Sequence, residues 1–153
     1  MSFEIIQGDL FANNFDALAQ GVNTKGKMGA GIAVDFRERW PIMYEDYKRL
    51  CEAYTDILPG LLHTWENTWD SEDPIQVIFN LFSQNFPGKN GSYELLAKSS
   101  LLMRMEAEAR SFERVGLPWI GCGIAGLEKH NVAHFFERIL GPSTVEFVLV
   151  EQP

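Results

Sequence analysis

Asn23 heads the run NTKGKMGAGIAVDF, in which two lysines and three glycines (Gly26, Gly29, Gly31) precede an apolar, helix-forming stretch. Glycine at that density marks either tight turns or a place where backbone must approach another molecule. A second cluster, GCGIAG at 121–126, repeats the context, with an apolar run before it and a helical run after it. Backbone N–H groups in such loops, aided by the partial positive charge of the helix N-terminus that follows, hold phosphate oxygens well. Two of them can grip a diphosphate from opposite sides. Neither loop carries the Gly-Lys-Ser/Thr of a P-loop, and neither has the dinucleotide spacing with an acidic residue about 20 positions on. On spacing alone, two strand-to-helix turns with nothing bound remain the other reading.

Other reactive residues offer less. Cys122, between two glycines at a helix start, has the setting of a low-pKa thiol, but no histidine stands in an identifiable relation to it. His130 and His134 are four apart, as metal ligands on a helix can be, yet the glutamate of that motif and a third ligand are missing. They are expected on the helix surface or partly buried, and neither a metal nor a cofactor is expected. Cys51 and Cys122 make no disulfide framework and are expected as reduced thiols. The formal charge of −8 argues against an extended nucleic-acid surface or an anionic membrane surface, while leaving room for a small phosphate site. The opening MSFEIIQGDL has no signal-peptide pattern, and no apolar run approaches a membrane span, so a cytoplasmic protein is expected.

The elements that must position the loops follow from pattern. FEIIQ (3–7) is expected as a strand that stops at Gly8-Asp9, and residues 16–22 as a second strand running into the first glycine cluster. Ile32, Ala33, Phe36 and Trp40 have helical spacing, and Pro41 suits the first turn of another helix, with Tyr44, Tyr47 and Leu50 on one face. A Pro59-Gly60 turn leads to a strand at 61–65, a polar hairpin connection, and a central strand at 75–82 that is apolar on both faces. Ser92 caps a long helix with a predicted stripe of Leu95, Leu102, Met105, Ala109 and Phe112. Strand, glycine cluster, helix and a last strand at 144–150 complete the chain. Interleaved strands and helices place it in the α/β class, as one domain over 1–153. Trp40, Tyr44, Tyr47 and Phe112 are expected in the core, with Phe82 set apart at a strand end near the ligand.

GDLF, DALAQGVN, MGAGIAVDF, NLFSQ and LPWIGCGIAGLEKHNV, in that order over nearly the whole chain, resemble a macrodomain. The likeness is to the branch holding the terminal ADP-ribose protein glutamate hydrolase, the antitoxins that reverse DNA ADP-ribosylation, and the yeast-type ADP-ribose-1''-phosphate phosphatase. The resemblance implies a three-layer α/β/α fold with a mixed central sheet and an ADP-ribose cleft on its crest. It implies that Asp9, with Leu10 beside it, takes the adenine. Gly29, Ala30, Gly31 and Ile32 form the first phosphate loop, and Gly121, Cys122, Gly123, Ile124, Ala125 and Gly126 the second. It places Asn23 at the distal ribose.

The chain departs from the hydrolase pattern at two positions. Gln84 stands where that pattern has a lysine, and Ala125 where it has an aspartate. An amide can orient water but cannot act as an amine nucleophile. Lys89, a few residues on, reads as a solvated loop lysine, the other reading being that it reaches the site if the loop folds in. Asn23 and Gln84 are therefore the expected catalytic pair, positioning water near C1''. The expected activity is ADP-ribose-1''-phosphate phosphatase. The alternatives are a non-catalytic ADP-ribose reader, or a hydrolase freeing ADP-ribose from a protein or nucleic acid. Expected partners are ADP-ribose or its 1''-phosphate, with an ADP-ribosylated macromolecule as a further candidate and no membrane.

Overall fold

The computed structural model describes residues 3–153. Strand β1 is Phe3–Gln7, and a single 3-10 turn at Leu10–Ala12 separates it from β2, Ala17–Gly21. Helices α1 (Ile32–Arg39) and α2 (Pro41–Tyr54) come next, then β3 (Leu62–Glu66) and β4 (Val77–Leu81). Helix α3 (Tyr93–Ala109), β5 (Arg114–Leu117), α4 (Lys129–Leu140) and β6 (Glu146–Glu151) complete the order. The strands form one mixed sheet in the order β1-β6-β5-β2-β4-β3, with only β3 antiparallel to its neighbour.

Helices cover both faces, and strand alternation decides which residue serves which face. Ala17 and Ala19 of β2, with Val77, Phe79 and Leu81 of β4, pack under α3 and α4. Leu18 and Ile78 pack on the opposite side under α1 and α2. This is the expected three-layer α/β/α arrangement. Burial on both faces explains why β4 and β6 read as continuous apolar runs. Pro41 opens α2 and Ser92 caps α3 through its hydroxyl, as the sequence predicts.

The predicted stripe on α3 is displaced. Leu96, Ser99, Ser100, Met103 and Ala107 face the core, whereas Met105 is 56% exposed. Ser99 bonds back to the Leu95 carbonyl at 2.8 Å, so its hydroxyl enters the interior satisfied. Counting only large apolar residues missed this small-residue face.

Because five strands run parallel, the loops after β1, β2, β4 and β5 all emerge at one edge, the crest where α/β sheets bind ligands. Gly21 lets two of them meet there: a Cβ on it would lie 2.6 Å from Ile120 and 2.7 Å from the Ser83 hydroxyl. Among the described residues, no helix is long and apolar enough to cross a membrane.

Candidate functional site: a crest cavity between two glycine loops

The loop after β2 is held from below by side chains. Asn23, buried at the strand end, accepts the N–H groups of Lys25 (3.0 Å) and Lys27 (3.3 Å) on its carboxamide oxygen and donates to the Lys27 carbonyl at 2.8 Å. The Tyr47 hydroxyl of α2 donates to the Asn23 carbonyl at 2.7 Å, and the Tyr44 hydroxyl to that of Gly26 at 3.1 Å. Burial holds the Tyr47 hydroxyl far above the usual phenol pKa, with Cys51 adding to the shift, so it stays a neutral donor. Residues 23–27 are thereby closed into a turn. The segment after them is left with unpaired donors: the N–H groups of Met28, Gly29, Ala30, Gly31, Ile32 and Ala33 have no partner among the described residues. Gly31, at φ +62°, turns the chain into α1 with no side-chain cap.

The loop after β5 is held by its own backbone. Cys122 N–H bonds to Trp119 O (3.3 Å), Gly126 N–H to Gly123 O (3.2 Å) and Leu127 N–H to Gly121 O (2.7 Å). Those turns leave the N–H groups of Gly121, Gly123, Ile124 and Ala125 unpaired among the described residues. The loop after β4 braces this one. Gln84 donates through its side chain to the carbonyls of Phe86 (2.7 Å) and Gly88 (3.2 Å), and Gly91 N–H bonds to Ala125 O at 3.0 Å. Lys25 ties the same loop to the first one: its ammonium lies 4.6 Å over the Phe86 ring and 3.1 Å from the Thr55 hydroxyl.

Between the loops lies a cavity of about 400 Å³. Asn23, Gly29, Ala30, Gly31 and Ile32 line one wall, Gly121, Gly123, Ile124 and Ala125 the other, and Gln84 stands between them. Every unpaired N–H named above belongs to a residue of that lining. Among the described residues, no aspartate or glutamate lines it, and Lys27 is its one titratable side chain. In a chain of net charge −8, unpaired N–H groups without a facing carboxylate among the described residues are the arrangement that suits an anion.

The remaining predicted site residues lie elsewhere. Phe82 is fully buried and stacks on Tyr47, with ring centroids 6.1 Å apart, because the residue after β4 turns toward α2. Leu10 is likewise in the core under Phe15 and Gly116. Cys122 lies outside the lining: its N–H is used, its thiol donates to Ile120 O at 3.6 Å, and burial pushes the thiol up to about 11. It is a protonated packing residue, unsuited to nucleophilic work at neutral pH. Gly126 spends its N–H on the turn and does not line the cavity. Asp9 is exposed at the end of β1, where one carboxylate oxygen caps the 3-10 turn by accepting Phe11 N–H at 2.9 Å. Three inter-strand spacings of about 4.8 Å separate β1 from β2, so Asp9 stands roughly 14 Å along the crest from Asn23.

Sequence reasoning passed over Met28, Trp119 and the Pro87-Gly88 pair, all in the lining. Met28 was legible as part of MGAGIA. Trp119 was not, because its place depends on the indole donating to Glu151 at 2.7 Å, across the end of β6.

Fold and site together define an α/β/α domain whose crest cavity is lined by two sets of unpaired backbone donors. The Macro domain family model matches residues 19–136, and the chain belongs to that family. It is similar to the DNA ADP-ribosyl glycohydrolase of Mycobacterium tuberculosis, 42% identical over 134 residues, which is 82% of this chain but only 35% of that protein. It is also similar to the ADP-ribose 1''-phosphate phosphatase of Candida albicans, 28% identical over 81% of this chain and 85% of that one. Among solved structures, the macrodomain of Thermus aquaticus DarG superposes with a TM-score of 0.87 at 22% identity, covering 99% of this chain and 98% of that one.

Proposed function

We propose that the crest cavity binds ADP-ribose, with its diphosphate on the unpaired N–H groups of both loops, and that the protein hydrolyses ADP-ribose-1''-phosphate. The observation that carries the reading is the convergence of two unpaired donor sets on a cavity free of carboxylates. Similarity to the Candida phosphatase supports the substrate class. A terminal phosphate adds two negative charges, which suits a lining whose only titratable side chain is Lys27.

The side chains divide the chemistry. Asn23 has spent its carboxamide oxygen and one amide hydrogen on its own loop, leaving one N–H to donate. Gln84 has spent its nitrogen on Phe86 and Gly88, leaving its oxygen as an acceptor for water. Water adds to phosphorus, the bond from phosphorus to the C1'' oxygen breaks, and that oxygen leaves as a hydroxyl with the water's proton. With no general base in the lining, rate enhancement comes from positioning and backbone electrostatics, so turnover is slow.

A second reading, removal of ADP-ribose from DNA, is favoured by the 42% identity with the mycobacterial relative. One experiment separates the two: phosphate release from ADP-ribose-1''-phosphate against ADP-ribose release from an ADP-ribosylated single strand. Phosphate release alone supports the proposal. Release from DNA alone replaces it, and tight ADP-ribose binding with neither leaves a reader.

A further inference from the structure

The loop after β4 carries a cation for which the catalytic scheme has no use. The aliphatic stem of Lys89 lies flat along Gly126: a Cβ there would sit 2.7 Å from Lys89 Cγ, 3.0 Å from Cε and 3.4 Å from Cδ. Gly126 has φ +87°, a conformation that favours glycine at that position. Lys89 is exposed, as a solvated loop lysine should be, and its aliphatic stem rests against Gly126.

Lys89 itself is outside the cavity lining, and its neighbours reach it. Gly88, one residue before it, and Ala125, one residue before Gly126, both line the cavity, and Gly91 N–H fastens the two loops at 3.0 Å. The loop is stiffened by the two Gln84 bonds and by Asn90, whose side chain donates to Pro87 O at 2.9 Å. The ammonium, one bond beyond Cε, has no ion pair or hydrogen bond among the described residues. The stem thus runs along the residue that follows the unpaired N–H of Ala125, and its charge has no acidic partner among the described residues.

We infer that Lys89 is a ligand-contacting residue that closes on the diphosphate held by the second glycine loop, with Gly126 as its seat and Gln84 as the residue that positions its loop. The inference rests on the ADP-ribose reading and goes beyond it by adding a side-chain cation to a site otherwise built from backbone. Its ligand class is a pyrophosphate ester, with or without a terminal phosphate.

The test is calorimetric titration of ADP-ribose and ADP-ribose-1''-phosphate into wild type, Lys89→Gln and Lys89→Arg. Loss of one charge-assisted hydrogen bond predicts about tenfold weaker binding of both ligands by Lys89→Gln, flattened salt dependence, and recovery to within about threefold by Lys89→Arg. Lys89 is exposed, so melting temperatures are expected to match. Gly126→Ala, which unseats the stem, is expected to weaken binding without adding to Lys89→Gln in the double variant. Wild-type binding with Lys89→Gln within twofold of it overturns the role of Lys89 and leaves the ADP-ribose reading standing. No binding by wild type overturns both.

Discussion

The two glycine loops present the same chemical surface and are held in different ways. The first is fixed from beneath by buried polar side chains, with Asn23, Tyr44 and Tyr47 occupying carbonyls and N–H groups of residues 23–27. The second relies on its own turns, on Gly121 at φ +79°, and on neighbouring loops pressed against it. A donor array needs only that its N–H groups be left over, and a protein can achieve that by spending side chains or by spending turns. The first loop should therefore fail through side-chain deletion and the second through added backbone bulk.

Asn23→Ala should have the largest effect. It strands the Lys25 and Lys27 N–H groups and the Lys27 carbonyl around a buried position. At about 1 kcal/mol for each lost hydrogen bond at a part-buried site, the fold should lose about 2 kcal/mol, and ADP-ribose affinity should fall more than tenfold. Denaturant unfolding alongside calorimetry checks this. Full stability with only a loss of turnover would return Asn23 to a purely catalytic role.

The matching change in the second loop is Gly121→Ala. Its Cβ meets Leu127 Cδ1 at 2.7 Å in a left-handed conformation, for an expected cost of about 1–2 kcal/mol and clearly weakened binding. Gly29→Ala and Gly123→Ala serve as paired controls, because neither Cβ meets any atom within 4 Å. Both should keep wild-type stability and still weaken ADP-ribose severalfold, since the ligand approaches both backbones. Loss from one and not the other would show that only one loop grips.

Asp9→Ala should weaken ADP-ribose binding through the adenine. It also removes a cap, so about 1 kcal/mol of stability goes with it. Unchanged affinity beside that stability loss would leave Asp9 a cap alone.

The smallest effect concerns pH and the first loop only. Beneath Met28, Gln20 bonds to Asn80 at 2.9 Å, and Asn80 meets the His63 ring at 3.0 Å. Burial lowers the His63 pKa below 6.5, opposed in part by Asp46. The unfolded chain takes up that proton first. The stability His63 contributes is thus intact above pH 6.5 and is lost as pH falls from there through the folded value. Melting curves between about pH 5 and 7 should show a decline that His63→Gln flattens. A parallel decline in the variant would assign the effect to other groups.

Much of this was legible in the sequence. Continuous apolar runs gave β4 and β6, and Pro41 and Ser92 marked helix starts through their own chemistry. The glycine clusters located the crest. What escaped were facts about facing: Phe82 follows a strand end but turns under α2, and Cys122 sits in a glycine cluster yet spends its N–H on a turn. Asn23 was found, but its second task of bracing the loop was not, although carboxamide bonding to N–H groups two and four residues on is a turn signal that NTKGK already carries. The contact of the exposed Lys89 stem with Gly126 was not legible, because the two lie 37 positions apart in the chain.

The most direct measurement of the central claim is an amide-resolved NMR titration of the protein with ADP-ribose. The account predicts that Met28–Ala33 and Gly121, Gly123, Ile124 and Ala125 shift together at a common midpoint, while Cys122 and Gly126, whose N–H groups are already bonded, move far less. Shifts confined to one loop, or largest at Cys122 and Gly126, would contradict a diphosphate held between two sets of unpaired backbone donors.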